Sequence, residues 1–365
     1  MDFLFAIISI LVITLLIVVH EFGHFLAAKL YGFQTPIFGI GLPFGPYIDL
    51  FKKWDTQFRF YFPLIGGFVA IPETSDETNE ETLKDMELKP LKKFPVYQRA
   101  VVAVAGVAFN ILFAFIIAIA MIGTTGLPKL AASNKIIEFV DENSAAKIAG
   151  LKPGDIIIAV NGIEINSGAE LQKTIGNYQD EDINLKVLRD DKTENISVHA
   201  HGAIGVKLGL KKEYIKYGSN IFNWIQEAFK YTIETLFMMI LSIIAIFSSL
   251  FAKLAGILGV ETNIASSNLG EVKGIVGIVQ LITEDIKNNI WMILEFAFLL
   301  NLNLAVINLL PIPALDGGYL IFLAYEAIFK KKPSIALQEG LVQAGFIFLL
   351  SIMALTTIND IKNFF

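Results

Sequence analysis

The chain has 365 residues, 54% of them hydrophobic, and a formal net charge of −6, with a mean hydropathy of +0.60. That apolarity points to several membrane spans, and the acidic balance argues against a nucleic-acid partner. Cysteine is absent, so disulfides and thiolate ligands are excluded and a metal site must draw on Asp, Glu and the four histidines.

The first apolar run extends from Phe3 to about Leu26 and carries VVHEFGHFLAAKL near its end. It lacks a basic n-region and is long, so it reads as a retained first span and not as a secretory signal. His20 and His24 are four apart and share one helix face. Both imidazoles can reach one zinc ion, and Glu21 is placed to take a proton from water whose pKa zinc lowers toward ~7. The bland alternative is a helix with chance polar residues near the membrane face. An ionisable residue at mid-bilayer costs ~2.5–3.5 kcal/mol on insertion scales, which weighs against it.

Residues 55–71, DTQFRFYFPLIGGFVAI, read as a hairpin or small sheet broken by Pro63 and by Gly66-Gly67. The ETSDETNEET that follows is a solvated acidic loop. A second span lies within Ala100 to Pro128, which holds only Arg99 just before it and no charge inside. Residues 131–210 change character: IIEFV and DIIIAVNG are strand-like, KPGD and NG are turn signals, and SGAELQKTI suits a short helix with Ser167 as N-cap and Glu170 three residues on. Such an insert has room for a modest core of its own. Thr235 to Ala252 is apolar and nearly of spanning length. A third span lies between about Ile290 and Leu310, and a fourth runs from Gly340 to Asn359.

The loops after the first span and before the fourth are rich in Lys and Arg, including Lys52, Lys53, Arg59 and Lys330 to Lys332. These loops are expected in the cytoplasm, with both termini and the insert outside.

A zinc peptidase needs a third protein ligand and keeps one position for water. His199 and His201 alternate on a strand of the outer insert, exposed or locally bonded, so the ligand is expected to be a carboxylate on the HEFGH side. NLNLAVINLLPIPALDGG, residues 301–318, offers one acid, Asp316. Pro311 and Pro313 break the helix, and Gly317-Gly318 are read as allowing a tight turn. An ordinary acid in a turn after a helix is the alternative.

With these motifs the chain resembles the site-2 protease family of intramembrane zinc metalloproteases, over nearly its whole length. HEFGH matches the family's H-E-x-x-H, and NLLPIPALDGG its N-x-x-P-x-P-x-L-D-G. The resemblance implies Zn2+ held by His20, His24 and Asp316, with Glu21 as catalytic base. It assigns Asn303 and Asn308 to substrate handling, whereas Asn301 and Asn110 are read as packing amides and Glu295 as structural or interfacial. FPLIGGFVAI resembles the family's membrane-reentrant β-loop, with Ile65 inserted and Phe68 for Tyr, which gives Gly66 and Gly67 a substrate-positioning role. AGVAFN and KGIVGIV resemble further family segments without their proline. SAAKIAGLKPGDIIIAVNGIEI and GAIGVKLGL resemble a PDZ domain of the bacterial protease type. Together they imply a single-PDZ relative of the regulator-of-sigma-E proteases.

The implied fold is an α-helical polytopic membrane protein of four transmembrane helices and a membrane-reentrant β-loop, with one inserted α/β PDZ domain. Its parts are 1–130, the PDZ at 131–210, a linking region at 211–288 and a second membrane half at 289–365. If Asp316 meets His20 and His24, the first and third spans run the same way and an even number of crossings separates the second from the third. GIVGIVQLI, 274–282, is too short to return a crossing by Thr235–Ala252. Residues 220–255 are therefore expected as amphipathic or re-entrant helices on the outer surface.

The implied partners are the lipid bilayer, a membrane-protein substrate helix, an upstream site-1-type protease and a PDZ peptide ligand. The implied location is a bacterial inner membrane. Two rival readings are a zinc-free, PDZ-bearing membrane adaptor and a different H-E-x-x-H protease with a Glu or His third ligand.

Overall fold

A computed structural model describes residues 2–72, 93–130, 136–141, 144–165, 168–189, 192–209, 212–257 and 291–364. They form two compact units, one of Met1–Thr124 with Gly218–Phe365 and one of Thr125–Tyr217.

The first helix, α1 (Asp2–Tyr31), is 30 residues of nearly unbroken apolar sequence. It stops at Gly32, whose φ of +80° is open to glycine. Phe33 N–H closes back on Ala28 O at 2.9 Å, the six-to-one bond of a Schellman end. Four strands follow: β1 (Ile37–Ile40), β2 (Tyr47–Lys53), β3 (Thr56–Tyr61) and β4 (Gly67–Val69). Trp54 and Asp55, both at positive φ, make the two-residue turn of the β2–β3 hairpin. The sheet order is β2-β3-β1-β4. Of the two forms expected for 55–71, the small sheet is what forms and not a hairpin: β1 lies between β3 and β4, parallel to the first and antiparallel to the second. β1 is only four residues long, too short to stand out as a strand in the sequence. The ETSDETNEET loop lies outside the described residues.

Helix α2 (Val96–Thr124) carries Arg99 near its start and no charge beyond it. It packs antiparallel to α1, because His24 meets Val102 while His20 meets Asn110.

The second unit opens on β5 (Leu127–Leu130). Then come β6 (Ile136–Val140), the one-turn α3 (Ala145–Ile148) capped by Ser144, β7 (Ile156–Val160), β8 (Ile163–Glu164) and α4 (Gly168–Gly176). The long pair β9 (Gln179–Arg189) and β10 (Lys192–His201), then β11 (Val206–Gly209) and β12 (Lys212–Ile215), complete it. The sheet order is β10-β9-β7-β6-β11, and β12 pairs with β5 where the chain enters and leaves. The NG signal is a turn with Asn161 and Gly162 both at positive φ between β7 and β8. Ile183, Leu185 and Val187 alternate inward from β9 onto Ile157, Leu171 and Val198 to make the core. Asp155, 1% exposed, accepts from Arg189 at 2.7 and 2.6 Å and from Lys152 N–H at 2.8 Å. Burial pushes its carboxyl up, but the guanidinium and the amide outweigh burial and hold it below the usual carboxylate range. The α4 helix forms where expected, and its expected cap, Ser167, lies outside the described residues.

Back in the first unit, α5 (Ile221–Ile257) is one continuous helix of 37 residues. The region expected as amphipathic or re-entrant helices is thus a single helix. Its Ile221–Ser248 stretch is long and apolar enough to cross a membrane. It packs on α2 through Phe229 against Phe115. Glu227, Lys230 and Glu234 recur at i, i+3 and i+7 on one face, half-buried at Glu227 and exposed at the other two, while Ala228, Thr232 and Thr235 are buried on the opposite side.

Then come α6 (Met292–Asn308), α7 (Asp316–Phe329) and α8 (Ile335–Phe364). Tyr231 of α5 stacks on Phe298 of α6 at 4.9 Å. Among the described residues four helices are of spanning length, in α1, α2, α5 and α8, whereas α6 has 17 residues, at the short limit for a span. Helix α5 reaches that length outside the four expected spans. The GIVGIVQLI and KGIVGIV segments, where a return crossing would have to lie if α5 crosses, are outside the described residues.

Candidate active site

The two histidines of the HEFGH motif share one partner across the fold. His20 and His24 are 5% and 8% exposed and face α2. Their Nε2 atoms lie 3.1 Å apart. Asp316, the first residue of α7, brings Oδ2 to 3.0 Å from His20 Nε2 and 3.3 Å from His24 Nε2. Three donor atoms thus make a triangle with sides of 3.0–3.3 Å. Ligand bonds of about 2.0–2.2 Å at tetrahedral angles set donors about 3.3–3.4 Å apart, so the triangle fits one face of a zinc site.

Three observations favour a metal over hydrogen bonding as the purpose of this triangle. First, Asp316 Oδ2 is buried and, although two imidazoles stand beside it, has no hydrogen bond of acceptable geometry. Second, His24 Nδ1–H donates to Val102 O at 2.7 Å, which leaves Nε2 as the lone-pair side. The Asn110 side-chain amide lies 3.2 Å from His20 Nδ1, and its Oδ1 is buried without a partner. Turned end for end, that amide accepts from Nδ1–H and fixes His20 in the same tautomer. Third, Gly106 of α2 faces both rings. A Cβ there would lie 2.7 and 2.8 Å from His20 Cε1 and Nε2, and closer still to His24 Nε2.

The remaining geometry holds these pieces in register. Gly23, inside HEFGH, packs so tightly on α2 that a Cβ would be 2.9 Å from both Ala105 C and Phe109 Cβ. Glu21 Oε2 accepts from Val69 N–H of β4 at 3.1 Å. Gly66, at φ +83°, accepts from Gly41 N–H through its carbonyl, and Gly67 packs on Val18 of α1. The chain between α6 and α7 turns through Ala314 at φ +93°. Gly317 and Gly318 do not make that turn. They sit in the first turn of α7, against the carbonyls of Leu309, Leu310 and Ile312, where no Cβ fits. Arg99 Nη2 donates to Glu326 at 2.6 Å and ties α2 to α7.

Asn308 Nδ2 is 3.3 Å from His20 Nε2, on the triangle itself. Asn303 is half-buried on α6, and among the described residues no hydrogen bond joins it to the cluster. Asn301, fully buried, donates to the Asn110 backbone carbonyl at 2.6 Å. Asn110, read from sequence as a packing amide, stands behind a ligand. Its signal was a lone polar side chain in an otherwise apolar span. The Gly106 contact had no signal beyond the AGVAFN stretch that contains it. A cavity of about 290 Å³ opens over the site, lined by Glu21, His24, Val69, Asp316, Tyr319 and Gln338 among others.

Residues 8–352 match peptidase family M50. A membrane metalloprotease of Arabidopsis thaliana chloroplasts is 32% identical over 96% of this chain and 77% of its own length. Proteins named as zinc metalloproteases from Synechocystis sp. and Campylobacter jejuni are 31% and 32% identical, over 100% and 97% of this chain and 96% and 92% of theirs. Among solved structures, the PDZ domain of an SdrC-like protein from Listeria innocua is 23% identical over 20% of this chain and 90% of its own, with a TM-score of 0.19, a likeness too weak to assign a fold. Two buried imidazoles and a glutamate on a helix of membrane length, met by a carboxylate from a distant segment, agree with this kinship: the chain belongs to peptidase family M50, the site-2 proteases, and is a membrane zinc metalloprotease.

Proposed function

We propose that this enzyme hydrolyses peptide bonds within the membrane-spanning segments of other proteins, with His20, His24 and Asp316 as the zinc ligands. The observation that carries the reading is the donor triangle, buried on the spanning-length helix α1 with Glu21 and the edge strand β4 beside it. When bound, zinc supplies a Lewis acid that polarises a carbonyl and lowers the pKa of water.

The chain's own residues do the rest. A substrate helix satisfies its backbone internally, so it must unwind before a peptide bond is open to attack. β4 ends the sheet, with one edge paired to β1 and the other turned to α1. An extended substrate adds along that edge and recovers backbone hydrogen bonds there. Taking the Val69 N–H, it releases Glu21, which accepts the proton of the attacking water and passes it to the leaving amine. Asn308 donates to the substrate carbonyl oxygen as charge develops, an interaction worth ~3 kcal/mol.

The exposed Tyr47, Ile48, Leu50 and Phe51 of β2 and Trp54 of its turn favour a sheet dipped into the bilayer as a re-entrant loop. We read Thr125–Tyr217 as the PDZ domain, outside a bacterial inner membrane, where it binds a peptide end or admits only substrates already trimmed by a site-1-type protease. Anti-sigma factors and signal-peptide remnants are substrates of that kind.

The test is Glu21→Gln in proteoliposomes containing a membrane-spanning reporter. The variant should keep its zinc and lose cleavage, and full cleavage would refute the mechanism. Asp316→Ala should lose the zinc as well, which a Glu or His third ligand would not allow.

A further inference from the structure

The described residues contain a second cluster of metal-ligating side chains, on the surface of the Thr125–Tyr217 unit. His199 and His201 sit two apart on β10 and so project from one face. Across from them, the β9–β10 ladder slips: Ala200 pairs with Glu181 but His201 pairs with Gln179. Asp180 is the residue left over. It stands at φ +61°, in the left-handed region that Asp tolerates better than most residues. Such a bulge re-aims a side chain, and here it sets the Asp180 carboxylate between the two imidazoles. Oδ1 lies 3.1 Å from His199 Nε2 and 3.0 Å from His201 Nδ1.

A fourth residue selects the tautomer. Asp182 Oδ1 is 2.7 Å from His199 Nδ1 and takes its proton. Asp180 Oδ1 faces the other ring nitrogen at hydrogen-bond distance, so a ring carrying both protons bonds both carboxylates, and a neutral ring protonated on Nδ1 turns the Nε2 lone pair to Asp180. A lone pair and a carboxylate oxygen 3.1 Å apart repel unless a cation stands between them, either a proton on the ring or a metal ion. A carboxylate behind a histidine behind a metal is the usual way to hold such a ligand. The donor kinds are those of the buried triangle, and the two histidine-to-carboxylate distances are close to its 3.0 and 3.3 Å. Unlike that triangle, this one is open: His199 and His201 side chains are 47% and 65% exposed, so an ion enters directly and keeps water on its free positions. Two imidazole nitrogens suit zinc-class ions and not Mg2+ or Ca2+, which prefer oxygen.

We propose that Asp180, His199 and His201 form a second, surface site for a zinc-class divalent ion, with Asp182 as the residue that orients His199. The ion clips the end of edge strand β10 to β9 at the bulge.

The experiment uses the full chain in detergent, stripped by chelator and dialysed against Zn2+ alone at neutral pH, with bound zinc counted by mass spectrometry. Wild type should hold one equivalent more than His199→Ala/His201→Ala. Asp182→Ala should weaken that extra equivalent by about 10- to 100-fold. Zinc should also raise the unfolding temperature of wild type more than that of the double variant. Both histidines are exposed, so the double variant should keep its far-UV spectrum and its reporter cleavage. Equal zinc content in wild type and the double variant at every free zinc concentration overturns the proposal, as does a response to Asp182→Ala no larger than that of an unrelated surface Asp→Ala change.

Discussion

Gly106→Ala tests whether the buried triangle is a metal site of fixed dimensions. The added Cβ would stand 2.7 and 2.8 Å from His20 Cε1 and Nε2, where ordinary contact begins at 3.4 Å. His20 must therefore retreat by at least about 0.6–0.7 Å, and His24 Nε2 by more. A metal site holds its ligand distances to about ±0.2 Å, so a shift of this size cannot be absorbed without losing a ligand or tilting the site. A misplacement of about 1 Å at a reacting centre costs on the order of 100-fold, which is about 2.7 kcal/mol of transition-state stabilisation. We expect kcat/KM for a membrane-spanning reporter to fall by roughly 30- to 100-fold, with weakened zinc retention on dialysis against chelator. Gly123→Ala is the matched control on the same helix: its Cβ meets only the Trp224 ring edge at 3.2 and 3.4 Å, and activity should stay near wild type. If Gly106→Ala retained full kcat/KM and zinc, or if Gly123→Ala were equally impaired, the close approach would not be what sets the site.

Two further predictions concern residues behind the site and in the second unit. Asn110→Leu removes the amide beside His20 Nδ1 and should weaken zinc binding by about 10- to 100-fold; an unchanged zinc affinity would mean the tautomer is set elsewhere. For Asp155, the folded-state pKa lies below the unfolded value, so its stabilisation is present above about pH 4 and is lost as pH falls through the lowered folded pKa. Arg189→Ala leaves the carboxylate buried without its cation, at a cost of about 3 kcal/mol near neutral pH, and makes its protonation favourable. Acid titration of the β signal by circular dichroism should therefore show a loss of stability in wild type that is absent or inverted in Arg189→Ala, and identical profiles would remove Asp155 as the cause.

What could be read from the chain without coordinates was whatever is local in sequence or forced by scarcity. His20, Glu21 and His24 lie within five positions of one helix, and with no cysteine and few histidines the search for a third donor narrowed to Asp316, whose Oδ2 lies within 3.3 Å of both imidazoles. What could not be read depends on tertiary approach. β1 is set between β3 and β4 by a parallel pairing across 15 residues of intervening chain, which no alternation pattern encodes. Helix α5 was expected as surface helices because the metal site requires an even number of crossings between the second and third spans and GIVGIVQLI is too short to return one; that requirement limits crossings and not the length of a helix, and α5 runs unbroken for 37 residues. Gly317-Gly318 looked like a turn and proved to be a packing surface, with the turn displaced to Ala314.

Glycine contacts connect these observations. Helices in lipid gain little from burying apolar side chains against one another, since the tails are equally apolar, and they associate through close packing at small residues. Gly23 lets α1 settle on the Ala105 carbonyl, Gly106 admits the two imidazoles, and Gly317 and Gly318 press α7 onto the carbonyls that end α6. Gly345 of α8 does the same against Pro313 O, on the outside of the Asp316 elbow. Each is a contact of glycine with backbone or with a ligand ring, and nearly all lack a flexible side chain that could yield. A site assembled from segments almost 300 residues apart is thus positioned mainly by contacts that cannot compress, which is how three donors from two distant segments hold spacings of 3.0–3.3 Å. On this view the glycine within HEFGH is as much a part of the site's construction as the histidines on either side of it, because without it α1 could not come near enough for Gly106 to matter.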